Sequence, residues 1–276
     1  MTSPAWCQAN VVFPDWDSAE TVAVSRLAPV LRTAEDDGLV TEWFVIRKSP
    51  CWRVRYLSAS AGADRIGQGL DDLVAEGAIT AWTEIVYEPE VHAFGGLEAM
   101  ASAHRLFHHD SRSLLEHLQR EGGPQRRETS LVLCSLLMRS AGLDWYEQGD
   151  VWARVGTHRA LPRGTRPGRG EQLQAAVQRL ISVDAERLMR TGGPLAHLAD
   201  WARAYGDTGR DLAHLMQLGL LRRGLRYVLA HHVLFAWNRI GLPYSTQATL
   251  ADAARTVVFG PDPTAERSTP DREGTP

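Results

Sequence analysis

The chain has 276 residues, a formal net charge of −3 and a hydrophobic content of 44%. The length and hydrophobic content predict a soluble globular protein with two packed layers or two small domains. The small net charge predicts no electrostatic field of the whole protein that would attract nucleic acid or a membrane. Three cysteines lie far apart, which argues against a disulfide framework and favours a reducing cytoplasm. Because no apolar run reaches the ~18 residues of a membrane span and no signal peptide is visible, we expect a cytoplasmic protein.

The first third of the chain alternates between strand-like and helix-like patterns. Runs rich in aromatic and β-branched residues predict strands at 10–13, 40–48, 52–57 and 79–87. Apolar stripes with helical spacing predict helices from 17 or 18 to 38 and at 63–76. The order β-α-β-β-α-β is the ferredoxin-like pattern. We therefore expect an α+β fold with a ferredoxin-like half at 1–96.

The rest of the chain has helical periodicity throughout. Helices are predicted at 97–120, 128–141, 144–159, 171–190, 195–205, 207–218, 221–240 and 247–258. We expect residues 97–259 to form a helical half of the same domain. Residues 260–276, which are rich in proline and poor in apolar groups, are predicted to be a disordered tail.

The stretch from 87 to 96 concentrates reactive side chains where a strand ends. Tyr87, Glu88, Glu90 and His92 fall within six residues, and the pair at 95–96 is Gly-Gly, which can adopt dihedral angles closed to other residues. Strand ends followed by glycine turns are common places for a site. The alternative is a surface turn whose charges keep it solvated.

Two later stretches also combine polar and aromatic groups. Residues 144–152 contain Trp145 and Asp150, although Asp144 and Glu147 have the spacing of a capping box at a helix start. Residues 237–247 contain Trp237, Tyr244, Ser245 and Gln247. The alternative for this second stretch is an ordinary turn in which Ser245 or Thr246 caps the next helix.

Local signatures of cofactor or metal binding are absent from the sequence. There is no P-loop, GxGxxG, HExxH or GxSxG motif, so we expect no cofactor and no metal. His108, His109 and Asp110 are adjacent on a predicted helix and point in different directions, which favours a solvated helix face. Of the neighbours His231 and His232, one is expected to face the core or a cleft.

Several motifs, taken in order, resemble a known family. They are EWFVIR at 42–47, WRVR at 52–55, Tyr87-x-x-Glu90 with Phe94-Gly95-Gly96, Leu106-Phe107-x-x-Asp110-Ser111, and Asn238-Arg239. Together they resemble the thiopeptide-type bacteriocin biosynthesis domain, which is also the C-terminal elimination domain of lantibiotic dehydratases. The similarity spans about residues 6 to 258. Members of this family modify ribosomally made peptides in two ways. Elimination domains remove glutamate from glutamylated Ser or Thr, whereas pyridine synthases join two dehydroalanines in a formal [4+2] aza-cycloaddition and expel the leader peptide.

Departures from the elimination pattern favour the pyridine synthase. Elimination domains usually have Arg-Tyr-Gly-Gly where this chain has Ala93-Phe94-Gly95-Gly96, and an arginine there can hold a carboxylate bidentately. Their arginine-containing strand usually reads His-Leu-Arg-Leu-Arg, and this chain has WRVR at 52–55. A histidine four residues before Asn-Arg is replaced by Leu234. Aromatic replacements suit a larger, flatter substrate such as a thiazole-bearing peptide.

The resemblance implies a set of candidate roles. Proton transfer needs donors and acceptors near the new ring, and the candidates are Glu88, Glu90, Tyr244, Ser245 and, more weakly, Asp150. The substrate-binding candidates are Trp52, Arg53, Arg55, His92, Trp145, Trp237 and Gln247, the tryptophans by stacking on azole rings.

The implied partner is a modified precursor peptide with its leader, which could dock on an exposed edge of the ferredoxin-like sheet. A homodimer stays open. Two alternatives also stay open: glutamate elimination that depends on arginines such as Arg47, Arg53 or Arg55, and a non-catalytic scaffold that presents the precursor peptide.

Overall fold

The computed structural model of the protein describes residues 4–120, 125–161, 170–190, 192–193 and 195–260. The disordered tail predicted for 260–276 lies outside the described residues from 261 onwards. The division of the chain at residue 96 stays a prediction.

The N-terminal part contains one antiparallel sheet of four strands. The strands are β1 (Ala5–Val12), β2 (Val40–Lys48), β3 (Cys51–Ser58) and β4 (Ala81–Ile85). Their order in the sheet is β2-β3-β1-β4, with all neighbours antiparallel. Together with the crossover helices, this order confirms the ferredoxin-like fold. Strand β1 begins five residues before its predicted start because 5–9 also pair with β3.

Helices cover one face of this sheet. Three contiguous segments, α1 (Ala19–Val22), a π-helical turn (Ala23–Leu27) and α2 (Ala28–Asp36), link β1 to β2, and α3 (Ser60–Ala75) links β3 to β4. Their apolar stripes pack on Ala9, Val45 and Val54, which share a face because Val54 lies opposite both other residues in the register. Side chains one position along each strand therefore project from the other face.

The C-terminal part is helical, as predicted. Its helices are α4 (Leu97–Gln119), α5 (Arg126–Ser140), α6 (Trp145–His158), α7 (Gly170–Ser182), α8 (Ala185–Met189), α9 (Ala199–Gln217), α10 (Leu225–Ile240) and α11 (Tyr244–Phe259). Helices α4 and α10 pack against β2. The α+β class with a sheet region and a larger helical region is therefore confirmed.

Two predicted helix boundaries are wrong. The single helix expected at 171–190 is broken between α7 and α8, where the Asp184 side chain accepts a hydrogen bond from the Arg187 backbone N–H at 3.0 Å and caps α8. The two helices expected at 195–205 and 207–218 are mostly one continuous helix, α9. Gly209 allows α9 to pack closely on α5, because a Cβ at this position would lie 2.5 Å from the Leu137 carbonyl oxygen.

The prediction of a solvated face at His108, His109 and Asp110 is also wrong, except for the exposed His109. Asp110 is buried and accepts hydrogen bonds from the Trp201 indole at 2.6 Å, from the Tyr205 hydroxyl at 2.8 Å and from Arg239. The reason is that α4 lies between the sheet and other helices, so most of its circumference is covered. One carboxylate thus connects α4, α9 and α10.

Candidate functional site

A polar row crosses the face of the sheet opposite to α1–α3. Arg53 and Arg55 of β3 project from this face, as do their β1 partners Asn10 and Gln8. Gln8 accepts a hydrogen bond from Arg55 Nε at 2.7 Å and donates one to Asn10 Oδ1 at 3.0 Å. Strand alternation thus aligns two guanidinium groups and two amides on one surface.

Arg55 is buried, as is its partner Gln8. Its guanidinium carbon lies 4.3 Å from the centroid of the Tyr87 ring and 5.4 Å from that of Phe44. Burial lowers the pKa of Arg55, while Tyr87 and Glu90 act in the opposite direction. Within the described chain, Arg55 Nη1 and Arg53 Nε are buried without a hydrogen-bond partner. Such donors are costly to leave unpaired, so they are suited to an incoming oxygen atom.

A neutral phenol and a neutral imidazole lie beside this guanidinium. The Tyr87 hydroxyl and His104 Nε2 are 2.9 Å apart in a buried contact. Burial, reinforced by the Arg55 charge, lowers the pKa of His104 to about 4. Burial also raises the pKa of Tyr87 above its usual range. Near neutral pH the protonated phenol can therefore donate to an uncharged imidazole.

The Gly-Gly turn fixes the segment 87–96 against the helical part. Gly95 and Gly96 have φ angles of +91° and +121°, which other residues rarely adopt. Arg222 donates its backbone N–H to the Gly95 carbonyl at 2.7 Å. A Cβ on Gly95 would meet Leu221 Cδ1 at 2.7 Å. The two glycines therefore permit a close approach of the chain that precedes α10.

Helix α10 supplies the facing wall. His231, Phe235 and Asn238 have the spacing i, i+4, i+7 and are all half-buried. Phe235 contacts the Phe94 ring at a centroid distance of 5.0 Å. Burial, with contributions from nearby cationic groups, lowers the pKa of His231, and the Glu90 carboxylate opposes that shift. His231 is thus a neutral imidazole within electrostatic reach of Glu90.

Glu90 connects the two walls. Its carboxylate acts electrostatically on both Arg55 and His231. One of its oxygens, Oε2, is buried without a hydrogen-bond partner among the described residues. We use the name cleft for the surroundings of Glu90, which acts on Arg55 of β3 and on His231 of α10, together with the neighbouring Arg53 and Phe235.

A second polar group lies at the C-terminal end of α10. Arg159 Nε donates to Gln247 Oε1 at 2.7 Å, and Gln247 Nε2 donates to Asn238 Oδ1 at 3.2 Å. The Arg159 guanidinium carbon lies 5.5 Å from the centroid of the exposed Tyr244 ring. Ser245 is exposed at the start of α11. Gln247, by contrast, is buried and ties the α10–α11 turn to α6.

Three predicted site residues of the helical part lie away from the cleft. Asp150 forms an ion pair with Arg226, and both side chains are partly exposed. Trp145 packs against the helical core, and the capping box of Asp144 and Glu147 is present. The Trp237 ring is fully buried and stacks on Trp152.

Three further predicted residues, Trp52, Glu88 and His92, also do not border the cleft. Trp52 is 1% exposed and lines a groove of about 480 Å³, where the Arg47 guanidinium covers its ring at 4.6 Å. Neither Trp52 nor Trp237 offers a free ring face on which an azole ring could stack. Glu88 and His92 are exposed on the turn.

Sequence reasoning missed Gln8, Asn10, His104 and Phe235 as neighbours of the cleft. Gln8 and Asn10 could have been found, because they are polar residues with a period of two inside an apolar strand. The contact of His104 with Tyr87 depends on how α4 docks on the sheet, which no local pattern encodes.

Two features are absent from the described residues. No group of three or more His, Cys, Asp and Glu side chains in those segments could hold a metal ion. No helix in them has the length and apolar character needed to cross a membrane.

The fold and the cleft together define an α+β protein in which a ferredoxin-like sheet and a helical region share one charged cleft. The chain belongs to the family described as "Lantibiotic biosynthesis dehydratase C-term", whose sequence model matches residues 6–258. This match confirms the resemblance drawn from the motifs. No curated protein sequence is similar enough to count as a match.

Solved structures share this fold at low identity. The tRNA-dependent lantibiotic dehydratase MibB from Microbispora sp. 107891 is 18% identical, with a TM-score of 0.64 over 94% of this chain and 29% of that one. TsrL is 16% identical, with a TM-score of 0.61 over 95% of this chain and 100% of TsrL. The pyridine synthase TbtD from thiomuracin biosynthesis is 11% identical, with a TM-score of 0.62 over 92% of this chain and 97% of TbtD. The chain thus spans less than a third of the dehydratase, and these likenesses concern the fold.

Proposed function

We propose that the protein is a pyridine synthase that matures a ribosomally made peptide. In the proposed reaction, two dehydroalanines combine in a formal [4+2] aza-cycloaddition, and the leader peptide is released. Membership of the dehydratase C-terminal family supports peptide maturation as the general role. The name of TbtD, a relative in fold that matches along 97% of its length, supports the particular reaction.

The composition of the cleft around the Gly-Gly turn carries this proposal. Glutamate elimination calls for a cationic clamp on the glutamate carboxylate and a base beside it. At the turn this chain has Ala93 and Phe94, and Leu234 of α10 is nearly buried. The cleft keeps hydrogen-bond donors on β3, and its other wall is formed by Phe235 and a neutral imidazole. Such a cleft suits amide oxygens and flat apolar groups better than a free glutamate.

Positioning supplies much of the proposed catalysis. Holding diene and dienophile in register can contribute roughly 7–11 kcal/mol relative to the reaction in solution. The unpaired donors of Arg53 and Arg55 would hydrogen-bond the oxygen of the reacting amide and stabilise its imidic-acid tautomer. Glu90 and His231 would carry the proton from the amide nitrogen to that oxygen.

The atoms balance in three steps. Two carbon–carbon bonds close the six-membered ring, the former amide oxygen leaves as water, and the leader leaves as its carboxamide. The last two steps need a proton donor and an acceptor, and Glu90 with His231 can alternate between these roles. Tyr244 and Ser245 stay candidates for proton transfer at the other end of α10.

One observation favours elimination as a second candidate. Arg53 and Arg55 each have a buried nitrogen without a partner in the described segments, and a substrate carboxylate could bind both. Elimination would then use β3 arginines alone, without an arginine at the turn.

Mass spectrometry of two synthetic peptides tests these assignments. One peptide carries a leader, azoles and two dehydroalanines, and the other carries a glutamylated serine. We expect the first to give the leader carboxamide and a core lighter by that leader and one water. Loss of glutamate from the second peptide, with the first unchanged, would establish elimination. If both peptides bind and neither reacts, the protein is a scaffold.

Variants locate the reaction in the cleft. Glu90→Gln removes the carboxylate that acts on both walls, and we expect turnover to fall by about 10²-fold or more. Glu98→Gln is the matched control, because Glu98 is exposed in the first turn of α4. Equal activity of both variants would contradict the role of Glu90.

A further inference from the structure

Two arginines lie over the ring of one tyrosine beside the cleft, and a third arginine is adjacent to one of them in the chain. The guanidinium carbons of Arg154 and Arg223 lie 3.9 and 5.0 Å from the centroid of the Tyr227 ring, and the ring is 42% exposed. Arg222, the neighbour of Arg223, is exposed. We call Arg154, Arg222 and Arg223 the arginine rim.

The positive charge of the rim is not neutralised within the described chain. The nearby Arg226 pairs with Asp150, but no carboxylate in the described residues forms an ion pair with any of the three rim arginines. Arg154 Nε is buried without a hydrogen-bond partner. Like charges held close together repel one another, so this arrangement favours a negatively charged ligand.

The rim is continuous with the cleft. The Arg222 backbone is bonded to the Gly95 carbonyl, and the Arg222 side chain packs on Gly96, with Cγ 3.1 Å from the position of an added Cβ. The Arg223 charge contributes to the lowered pKa of His231, which borders the cleft. A chain bound at the rim can therefore extend directly to Glu90 and His231.

We propose that the arginine rim binds an acidic segment of the peptide whose modified part occupies the cleft. This inference rests on the proposed peptide substrate and assigns the docking surface of its leader. Carboxylates match guanidinium groups in geometry as well as in charge. Guanidinium groups already cover the Tyr227 ring, so it is not a free platform for a nucleobase. The net charge of −3 also lacks the broad positive field typical of RNA binding.

Fluorescence anisotropy with defined peptides tests the rim directly. The probe is a labelled 20-residue peptide with six glutamates among apolar residues, and the comparison peptide has glutamine at those six positions. We expect the glutamate peptide to bind the full-length protein more tightly, by about tenfold, with the difference shrinking at high salt. The double variant Arg222→Gln/Arg223→Gln should lose that preference. Its circular dichroism spectrum reports whether the fold is retained.

The control is Arg203→Gln, because Arg203 is an exposed arginine on α9 that pairs with Asp200. We expect this variant to bind the glutamate peptide as the unchanged protein does. Equal binding of both peptides, or an equal loss in both arginine variants, would overturn the proposal. Tighter binding of tRNA than of the glutamate peptide would also overturn it. The binding measurement does not depend on turnover. Its result can therefore be interpreted even if the cycloaddition assay shows no product.

Discussion

His104 is held in its neutral form by its surroundings. Its ring is buried, hydrogen-bonded to the Tyr87 hydroxyl and close to the Arg55 charge. Burial and this charge lower its pKa from 6.5 to about 4. Below pH 6.5 the unfolded chain binds a proton at this site while the folded chain does not. The contribution to stability is therefore complete above pH 6.5 and decreases as the pH falls towards 4.

We predict that His104→Gln flattens the dependence of unfolding free energy on pH between 6.5 and 4. Glutamine does not titrate. The loss of unfolding free energy that His104 causes between pH 6.5 and 4, on the order of 3 kcal/mol, should therefore disappear. Urea denaturation at a series of pH values measures it. His214→Gln, at an exposed position on α9, should keep the original slope. Parallel curves for both variants would contradict the prediction.

The charge of the buried Asp110 also matters to the fold. Asp110→Asn keeps the shape of the side chain but leaves the Arg239 guanidinium, which is fully buried, without its counter-ion. We predict a loss of about 3–5 kcal/mol in unfolding free energy, measured by urea denaturation. Asp207→Asn removes an exposed partner of Arg210 and should cost up to about 1 kcal/mol. Similar losses for the two variants would mean that the buried ion pair contributes no more to the unfolding free energy than an exposed one.

At the scale of elements, helix α4 closes one edge of the sheet. The backbone N–H groups of Trp43 and Val45 on β2 donate to His108 Nδ1 and Ser111 Oγ, each at 3.1 Å. β2 is an edge strand by topology, yet side chains of a helix take the place of a fifth strand. This arrangement couples the docking of α4 to the integrity of the sheet.

We predict that Ser111→Ala costs about 1–3 kcal/mol in unfolding free energy, because it leaves the Val45 N–H buried without a partner. Ser113→Ala on the same helix is the matched control, since Ser113 is half-buried and its hydroxyl forms no hydrogen bond in the described structure. Alanine also has the higher helix propensity, so the control should be neutral or slightly stabilising. Thermal unfolding followed by circular dichroism compares the two. If Ser113→Ala lost as much stability as Ser111→Ala, the loss would come from a general effect on α4 and not from the Val45 hydrogen bond.

At the scale of the whole molecule, the Gly-Gly turn joins the sheet region to the helical region. Gly95→Ala adds a Cβ 3.0 Å from Val228 Cγ2 and closer still to Leu221, at a φ of +91°. Gly142→Ala has a comparable φ of +83° and open space around the new methyl group. We predict a loss of about 1 kcal/mol for Gly142→Ala and about twice that for Gly95→Ala, measured by urea denaturation. Equal losses would mean that backbone strain alone explains the need for glycine.

The fold was largely predictable, and the cleft only partly so. Strand and helix periodicities encode the ferredoxin-like order, because both are set by local burial patterns. They failed at α9, where glycines that look like helix breakers serve packing against α5. They failed again at Asp110, whose three partners come from 91 to 129 residues away. Glu90 and the β3 arginines were predicted because motif and alternation mark them, whereas His104 depends on long-range docking.

Side chains of α4 occupy the place of a fifth strand beside β2, and this also affects the exchange of amide hydrogens in the sheet with solvent. Amide hydrogens on an edge strand normally exchange quickly, and β4 has no described strand on its outer side. The Trp43 and Val45 amides on β2 are instead held by α4, so their deuterium uptake reports the opening of α4 rather than fraying of the sheet. A labelling experiment on this protein would therefore find one slow edge and one fast edge in the same four-stranded sheet.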